Sequence, residues 1–169
     1  ISSDEICYPQ PWYVEGEGIF ELFTKYTGVR ELYWNFRKPD GSRGEDRKLA
    51  GIEGHYQVSF RQGRRIVTAF NRHPKGMPDN RTDLYYLETR DLGKTWQTVD
   101  GKTIAPPLVK PDNPARVKAY SEERRLVYVK DITLDGDGNP VILAVTSSDH
   151  RPGPQGDPRT WEVLHHKGG

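Results

Sequence analysis

Along this chain, short runs of aromatic and β-branched residues alternate with polar positions and stop at Gly, Pro, Asp or Asn. About eleven such runs can be counted. The clearest cover residues 7–14, 18–26, 30–36, 55–60, 65–71, 83–89, 125–131, 140–146 and 160–166. A period of two bounded by turn residues predicts antiparallel strands joined by hairpins, and so an all-β fold. No segment carries a sustained helical period. The best candidate, 117–125, is short and predicts a loop with a turn of helix.

Turn chemistry separates the runs at Pro39-Asp40-Gly41, Arg61-Gln62-Gly63, Asp91-Leu92-Gly93 and Asp135-Gly136-Asp137-Gly138-Asn139-Pro140. Each supplies positive-φ or side-chain-bonded positions that a tight hairpin requires. Asp40, Asp91 and Asp137 recur at a spacing of roughly 40 to 50 residues, with several strands per repeat, which predicts a β-propeller. The expectation is about three four-stranded blades, over 1–52, 53–104 and 105–169. Three blades leave open sheet faces and an unclosed ring. The chain is therefore read as part of a larger six- or seven-bladed ring, with the remaining blades of the parent chain as its partners, and residues 161–169 end at a Gly turn where a further strand would pair.

Composition narrows the function classes. Apolar residues make up only 34%, but four Trp, nine Tyr and five Phe bring large buried areas, which argues for a folded chain. With 25 Lys and Arg against 24 Asp and Glu, the net charge of +1 gives no overall field for nucleic acid or an anionic membrane. No apolar run is long enough to span a bilayer. Cys7 is the single cysteine, which excludes an internal disulfide and a cysteine-based zinc cluster; it is expected buried or half-buried. The start, Ile1-Ser2-Ser3-Asp4, has neither the features of a signal peptide nor an initiator Met, so it reads as a processed or excised segment, and the parent protein is expected to be secreted or periplasmic.

The sharpest motif is Thr89-Arg90-Asp91-Leu92-Gly93-Lys94-Thr95-Trp96. It resembles the Asp-box, Ser/Thr-x-Asp-x-Gly-x-Thr-Trp, of sialidase-like propellers. Its logic is structural: the Asp carboxylate accepts N–H bonds inside the turn, Gly takes a conformation closed to other residues, and Trp packs under the loop. Thr89, Asp91, Gly93 and Trp96 are assigned that role. The stretch 35–41 looks like a degraded copy that keeps Asp40-Gly41. Together with Cys7-Tyr8-Pro9-Gln10-Pro11-Trp12-Tyr13, Gly54-His55-Tyr56-Gln57-Val58-Ser59, the run 81–89 and Val127-Tyr128-Val129-Lys130-Asp131-Ile132, the chain resembles the BNR/Asp-box repeat proteins of bacterial polysaccharide degradation.

In propellers, ligand sites form where the innermost strands and their connecting loops converge. His55 opens one run and His73 closes the next, so a hairpin can bring both to one rim. Their spacing resembles the two-histidine pattern of propeller-fold lyases acting on sulfated uronic-acid polymers, in which a His, a Tyr and basic residues do the work. That resemblance implies β-elimination on an acidic polysaccharide or oligosaccharide. Elimination needs a base near neutral pKa, an acid for the leaving oxygen and a cation to stabilise developing charge. His55 or His73 is the candidate base and Tyr128 the candidate acid, with Tyr120 an equally reachable alternative. Arg72 or Lys130 is the neutraliser, and Arg116 a further substrate-binding candidate in a long loop. Arg61, Arg64 and Arg65 flank a Gly turn and read as a solvated hairpin.

Two other classes share this fold. A sialidase-like hydrolase would also carry the Asp-box, but no Phe/Tyr-Arg-Ile-Pro segment precedes it here. A non-catalytic glycan- or protein-binding propeller would stack sugars on aromatics such as Trp12, Tyr13, Tyr33 and Trp34. No cofactor or metal is expected: Asp135-Gly136-Asp137-Gly138-Asn139 starts like a calcium loop but has Pro140 at its sixth position and Thr146 at its twelfth. His165 and His166 are neighbours on a strand and face opposite sides.

Overall fold

A computed structural model describes residues 6–167, so the expected terminal Gly turn at Gly168-Gly169 and the start Ile1–Asp4 lie outside the described residues. The fold is all-β, with three antiparallel sheets in chain order. The first sheet contains β1 (Ile6–Val14), β2 (Gly18–Tyr26), β3 (Arg30–Arg37) and β4 (Arg47–Ala50). The second contains β5 (Gln57–Gln62), β6 (Arg65–Arg72), β7 (Thr82–Thr89), β8 (Trp96–Gln97), β9 (Thr103–Ile104) and β10 (Arg116–Lys118). The third contains β11 (Leu126–Leu134), β12 (Pro140–Ser147) and β13 (Thr160–His165). Between β10 and β11 the chain makes a helix-like turn, with Glu123 N–H and Arg125 N–H both donating to the Tyr120 carbonyl.

Strand numbers depart from an even four per sheet: four, six and three are described. The second sheet gains strands because the far edge of β7 is shared. β8 pairs with it at Glu88, and β10 pairs with it at Tyr85 and Leu84. The chain between β8 and β10 makes an excursion that returns to the first sheet, where Leu108 N–H donates to the Leu49 carbonyl at 2.9 Å and Gly51 N–H donates to the Leu108 carbonyl at 2.8 Å. Residues 116–118, which spacing alone would place in the third repeat, therefore belong to the second sheet.

The burial pattern follows from the order of the sheets. The second sheet is covered on both faces, and β7 is buried at all eight positions, so its sequence reads as a continuous run without alternation. The third sheet is covered on one face, and β12 alternates buried and half-buried residues. One apolar core joins the first and second sheets through Phe20, Trp34, Phe70, Tyr85 and Trp96. A second joins the second and third sheets through Val67, Tyr86, Val127, Ile142 and Ala144.

The Asp-box sits at the β7–β8 turn. Asp91 Oδ1 accepts from Thr95 N–H at 2.9 Å, and Thr89 Oγ accepts from Gly93 N–H at 2.8 Å. Trp96, 1% exposed, packs under the turn against Phe20 and Trp34. Gly93 has φ +83°, and a Cβ there would lie 2.5 Å from the Trp34 ring. Gly93→Ala is therefore expected to destabilise the fold by about 2–3 kcal/mol, from backbone strain plus overpacking; a chemical-denaturation midpoint unchanged from wild type would refute this. The degraded copy is also a turn, with Asp40 Oδ1 accepting from Ser42 N–H at 2.8 Å. At Asp135 the same device closes the β11–β12 hairpin by accepting from Asp137 and Asn139 N–H, and His165 Nε2 bonds the other oxygen.

Candidate functional site

Because strands alternate in direction, β1, β5 and β11 all start at the same end of their sheets, and β3 and β7 start there too. The Asp-box lies at the opposite end. β1, β5 and β11 also lie side by side: Gln10 Nε2 donates to the Gln57 carbonyl at 3.1 Å and Trp12 Nε1 donates to Ser59 Oγ at 2.8 Å. Tyr8, Tyr56 and Tyr128, from the starts of these three strands, consequently meet at one end. Arg30 opens β3 and Arg81 immediately precedes β7, so both reach the same place.

These five residues form a ladder of alternating rings and cations. The Arg30 guanidinium lies 5.9, 5.1 and 4.9 Å from the ring centroids of Tyr8, Tyr26 and Tyr56. Arg81 lies 4.2 Å from the Tyr56 centroid and 5.0 Å from that of Tyr128. Tyr8 and Tyr56 meet edge to face, and Lys130, exposed, lies 5.9 Å from the Tyr128 centroid. Among the described residues none of Arg30, Arg81 and Lys130 has a carboxylate partner. Arg72, from the same end, is held by Glu53 and Asp83, each at 3.5 Å.

Asn71 fixes the geometry beneath the ladder. Its buried side chain accepts from Tyr56 N–H at 3.1 Å and donates to the Val127 carbonyl at 3.1 Å, so one amide holds the backbone of Tyr56 and the peptide unit that leads into Tyr128. Its own carbonyl accepts from His55 Nδ1 at 3.0 Å, while His55 Nε2 accepts from Ile52 N–H at 3.3 Å. His55 is 0% exposed and both its nitrogens are used; burial pushes its pKa down to about 4. It supports the site from below and does not open onto it.

His73 is different. Its ring lies 4.8 Å from Tyr56, and Nε2 is buried with no hydrogen-bond partner among the described residues. Burial, reinforced by His55, Arg81 and Arg30, pushes its pKa down to about 3, so the imidazole is neutral. Burial raises the Tyr56 hydroxyl, helped by its bond with Tyr8. Backbone strain collects at this end as well: Tyr8, Glu53, Lys75, Asp83 and Arg124 all have φ between +53° and +72°, a conformation that costs of order 1–3 kcal/mol each in non-glycine residues.

The other predicted residues lie elsewhere. Tyr120 is buried between the second and third sheets, donating to Glu162 Oε2 at 2.7 Å beside Lys118; burial and Glu162 raise its pKa. Arg116 pairs with Asp112 and lines a cleft of about 480 Å³ with Asp100, His165 and His166. Thus His73, Tyr128, Arg72 and Lys130 share one end; Tyr120 stands near it, where Ser121 bonds Asp83, but turns its hydroxyl to Glu162, and Arg116 does not join them. Tyr56, Arg30 and Arg81 were missed. Their signal is positional: an Arg stands at the start of the third strand of each sheet, as Arg30, Arg81 and Arg159. No group of three His, Cys, Asp or Glu among the described residues has metal-site geometry.

A family model described as "BNR repeat-containing family member" matches residues 8–166, nearly the whole chain. The chain belongs to this family. Among solved structures, the BNR repeat chain is similar to a PL25 ulvan lyase in two structures, one bound to -[GlcA(1-4)Rha3S]-, each with TM-score 0.76 and 15% identity over 95% of this chain. It spans 41% of that lyase's length and matches part of its propeller. A thermostable family-43 glycoside hydrolase is similar at 10% identity and TM-score 0.49, covering 95% of this chain and 54% of the hydrolase. No curated protein matches. No helix among the described residues is long and apolar enough to cross a membrane.

Proposed function

We propose that this BNR repeat chain forms part of a lyase that cleaves an acidic polysaccharide by β-elimination, as three blades of a larger ring of six or seven. The observation that carries this reading is the pair of guanidinium groups without carboxylate partners, Arg30 and Arg81, held between tyrosine rings beside a neutral histidine with a free nitrogen. Uncompensated cations favour an anionic ligand, and tyrosine rings favour the flat faces of sugars. The likeness in fold to a polysaccharide lyase supports the same substrate class.

In this reading Arg81, with Lys130 beside Tyr128, takes the uronate carboxylate. His73 accepts the proton from the carbon next to that carboxylate, the carbon–carbon double bond forms, and the bond to the leaving oxygen breaks with its electron pair. Tyr128 protonates that oxygen. His73 is reached when the sugar displaces the half-buried Tyr56 ring, and the carboxylate's negative charge offsets the positive field of Arg81 and Arg30 that lowers its basicity. Arg72, already paired, orders the loop that carries His73.

The test is ultraviolet absorbance of unsaturated ends, with the full-length protein on a panel of uronic-acid polysaccharides. Wild type is expected to form them, and His73→Ala and Tyr128→Phe to lose the signal while still binding glycan. Binding without turnover by the wild type would leave a glycan-binding module in place of a lyase.

A further inference from the structure

The ladder contains two cations, and elimination uses one of them. We propose that Arg30 is a separate anion seat, taking a sulfate or carboxylate on a neighbouring sugar of the same glycan, so that the face selects polymers whose charged groups recur along the chain. This rests on the acidic-glycan part of the reading above and is independent of the elimination step.

Three features taken together mark Arg30. Its charge is uncompensated: the adjacent carboxylate, Glu31, is engaged by Lys48 at 2.6 Å and by Tyr33, on the other side of β3. By contrast Arg64 pairs with Glu17, Arg65 with Glu88, Arg116 with Asp112, and Arg151 with Asp149. Second, Arg30 is held without being neutralised. Rings from β1, β2 and the segment before β5 surround the guanidinium within 5.9 Å, and its Nε is buried with no acceptor among the described residues. Cation–π contacts order the group while leaving its outer N–H donors open. Ordering before binding reduces the entropy lost when an anion arrives.

Third, Arg30 shares a ring with Arg81. Tyr56 lies 4.9 Å from one guanidinium and 4.2 Å from the other, so the two cations flank a single aromatic platform. A sugar stacked on Tyr56 presents its own carboxylate to Arg81, while the anionic group of the adjoining residue falls to Arg30. Tyr8 and Tyr26, 48% and 45% exposed, leave that side open to solvent.

The experiment is calorimetric titration of the full-length protein, wild type, Arg30→Gln and Arg30→Lys, with three probes: a sulfated uronic-acid oligosaccharide, its desulfated form and its carboxyl-reduced form. The expected result for Arg30→Gln is a loss of about tenfold or more on the intact probe, the size of one charge-assisted hydrogen bond. That loss should shrink to under about threefold on the one modified probe that lacks the seated group, which identifies it as sulfate or carboxylate. Arg30→Lys, which keeps the charge and ring packing, should recover part of the affinity. Equal affinity of wild type and Arg30→Gln for every probe that the wild type binds overturns the seat and leaves the acidic-glycan reading intact. No binding of any probe by the wild type overturns both.

Discussion

Arg81→Gln is expected to lower the rate of unsaturated-product formation by about 10²–10³-fold, the usual cost of removing one preorganised group that stabilises developing charge. The substitution keeps a polar group at the position of Nε and removes the cation between Tyr56 and Tyr128. In the ground state the uronate already carries a full charge. In the transition state electron density spreads further onto the carboxylate oxygens, so most of the loss should fall in kcat, with a smaller rise in KM. Stability should change little, since among the described residues the Arg81 side chain has no ion pair and makes one hydrogen bond, from Nε to the Pro78 carbonyl. Arg64→Gln, at the opposite end, is the control and should leave turnover unchanged. A rate within threefold of wild type would assign the carboxylate to Lys130.

Lowering the pH from about 6.5 to 4 should remove several kcal/mol of folding stability, most of it from two buried histidines. His55 and His73 have folded pKa values of about 4 and about 3, below the 6.5 of an unfolded histidine. The unfolded chain therefore binds more protons over this range. Stability is fully present above pH 6.5 and is lost as the pH falls toward the folded values. For fully buried His55 this amounts to about 3 kcal/mol, and His73 adds to it. Asp46, Glu88 and Asp91 also have lowered pKa values, from hydrogen bonds and cations that outweigh burial. Their stabilisation is lost as the pH falls from the unfolded values of 4.5 and 3.8 toward the lower folded ones, so the interval from 6.5 to 5 reports the histidines. Denaturant titrations at several pH values measure the slope, and His55→Gln should flatten it above pH 4. A flat wild-type profile between 6.5 and 5 would refute the assignment.

Much of the strand order was legible because both the period and the turn chemistry are local. The run 18–26 coincides with β2, and the runs around β6, β7 and β12 differ from the observed strands by one residue at an end. β4, β8, β9 and β10 were not legible. They are two to four residues long, too short for alternation, and exist because a neighbouring strand offers an edge. The two histidines stand at strand boundaries, which the sequence shows, but the difference between their surroundings is not legible there. His55 is closed by backbone groups of Asn71 and Ile52, whereas His73 keeps a free nitrogen, and only the fold decides which backbone groups arrive. Arg30 and Arg81 look like ordinary turn arginines in sequence. What distinguishes them is the absence of a carboxylate nearby, which depends on residues from three sheets.

The excursion that carries Leu108 back to the first sheet has a consequence for solubility. A strand at the rim of a sheet offers bare N–H and C=O groups that can template pairing with another molecule. β4 is such a strand. By donating to Leu49 and accepting from Gly51, Leu108 occupies groups at its end, and the adjoining Pro106 and Pro107 carry no N–H of their own. The insertion thereby covers part of an edge that would otherwise stand open to pairing with another strand.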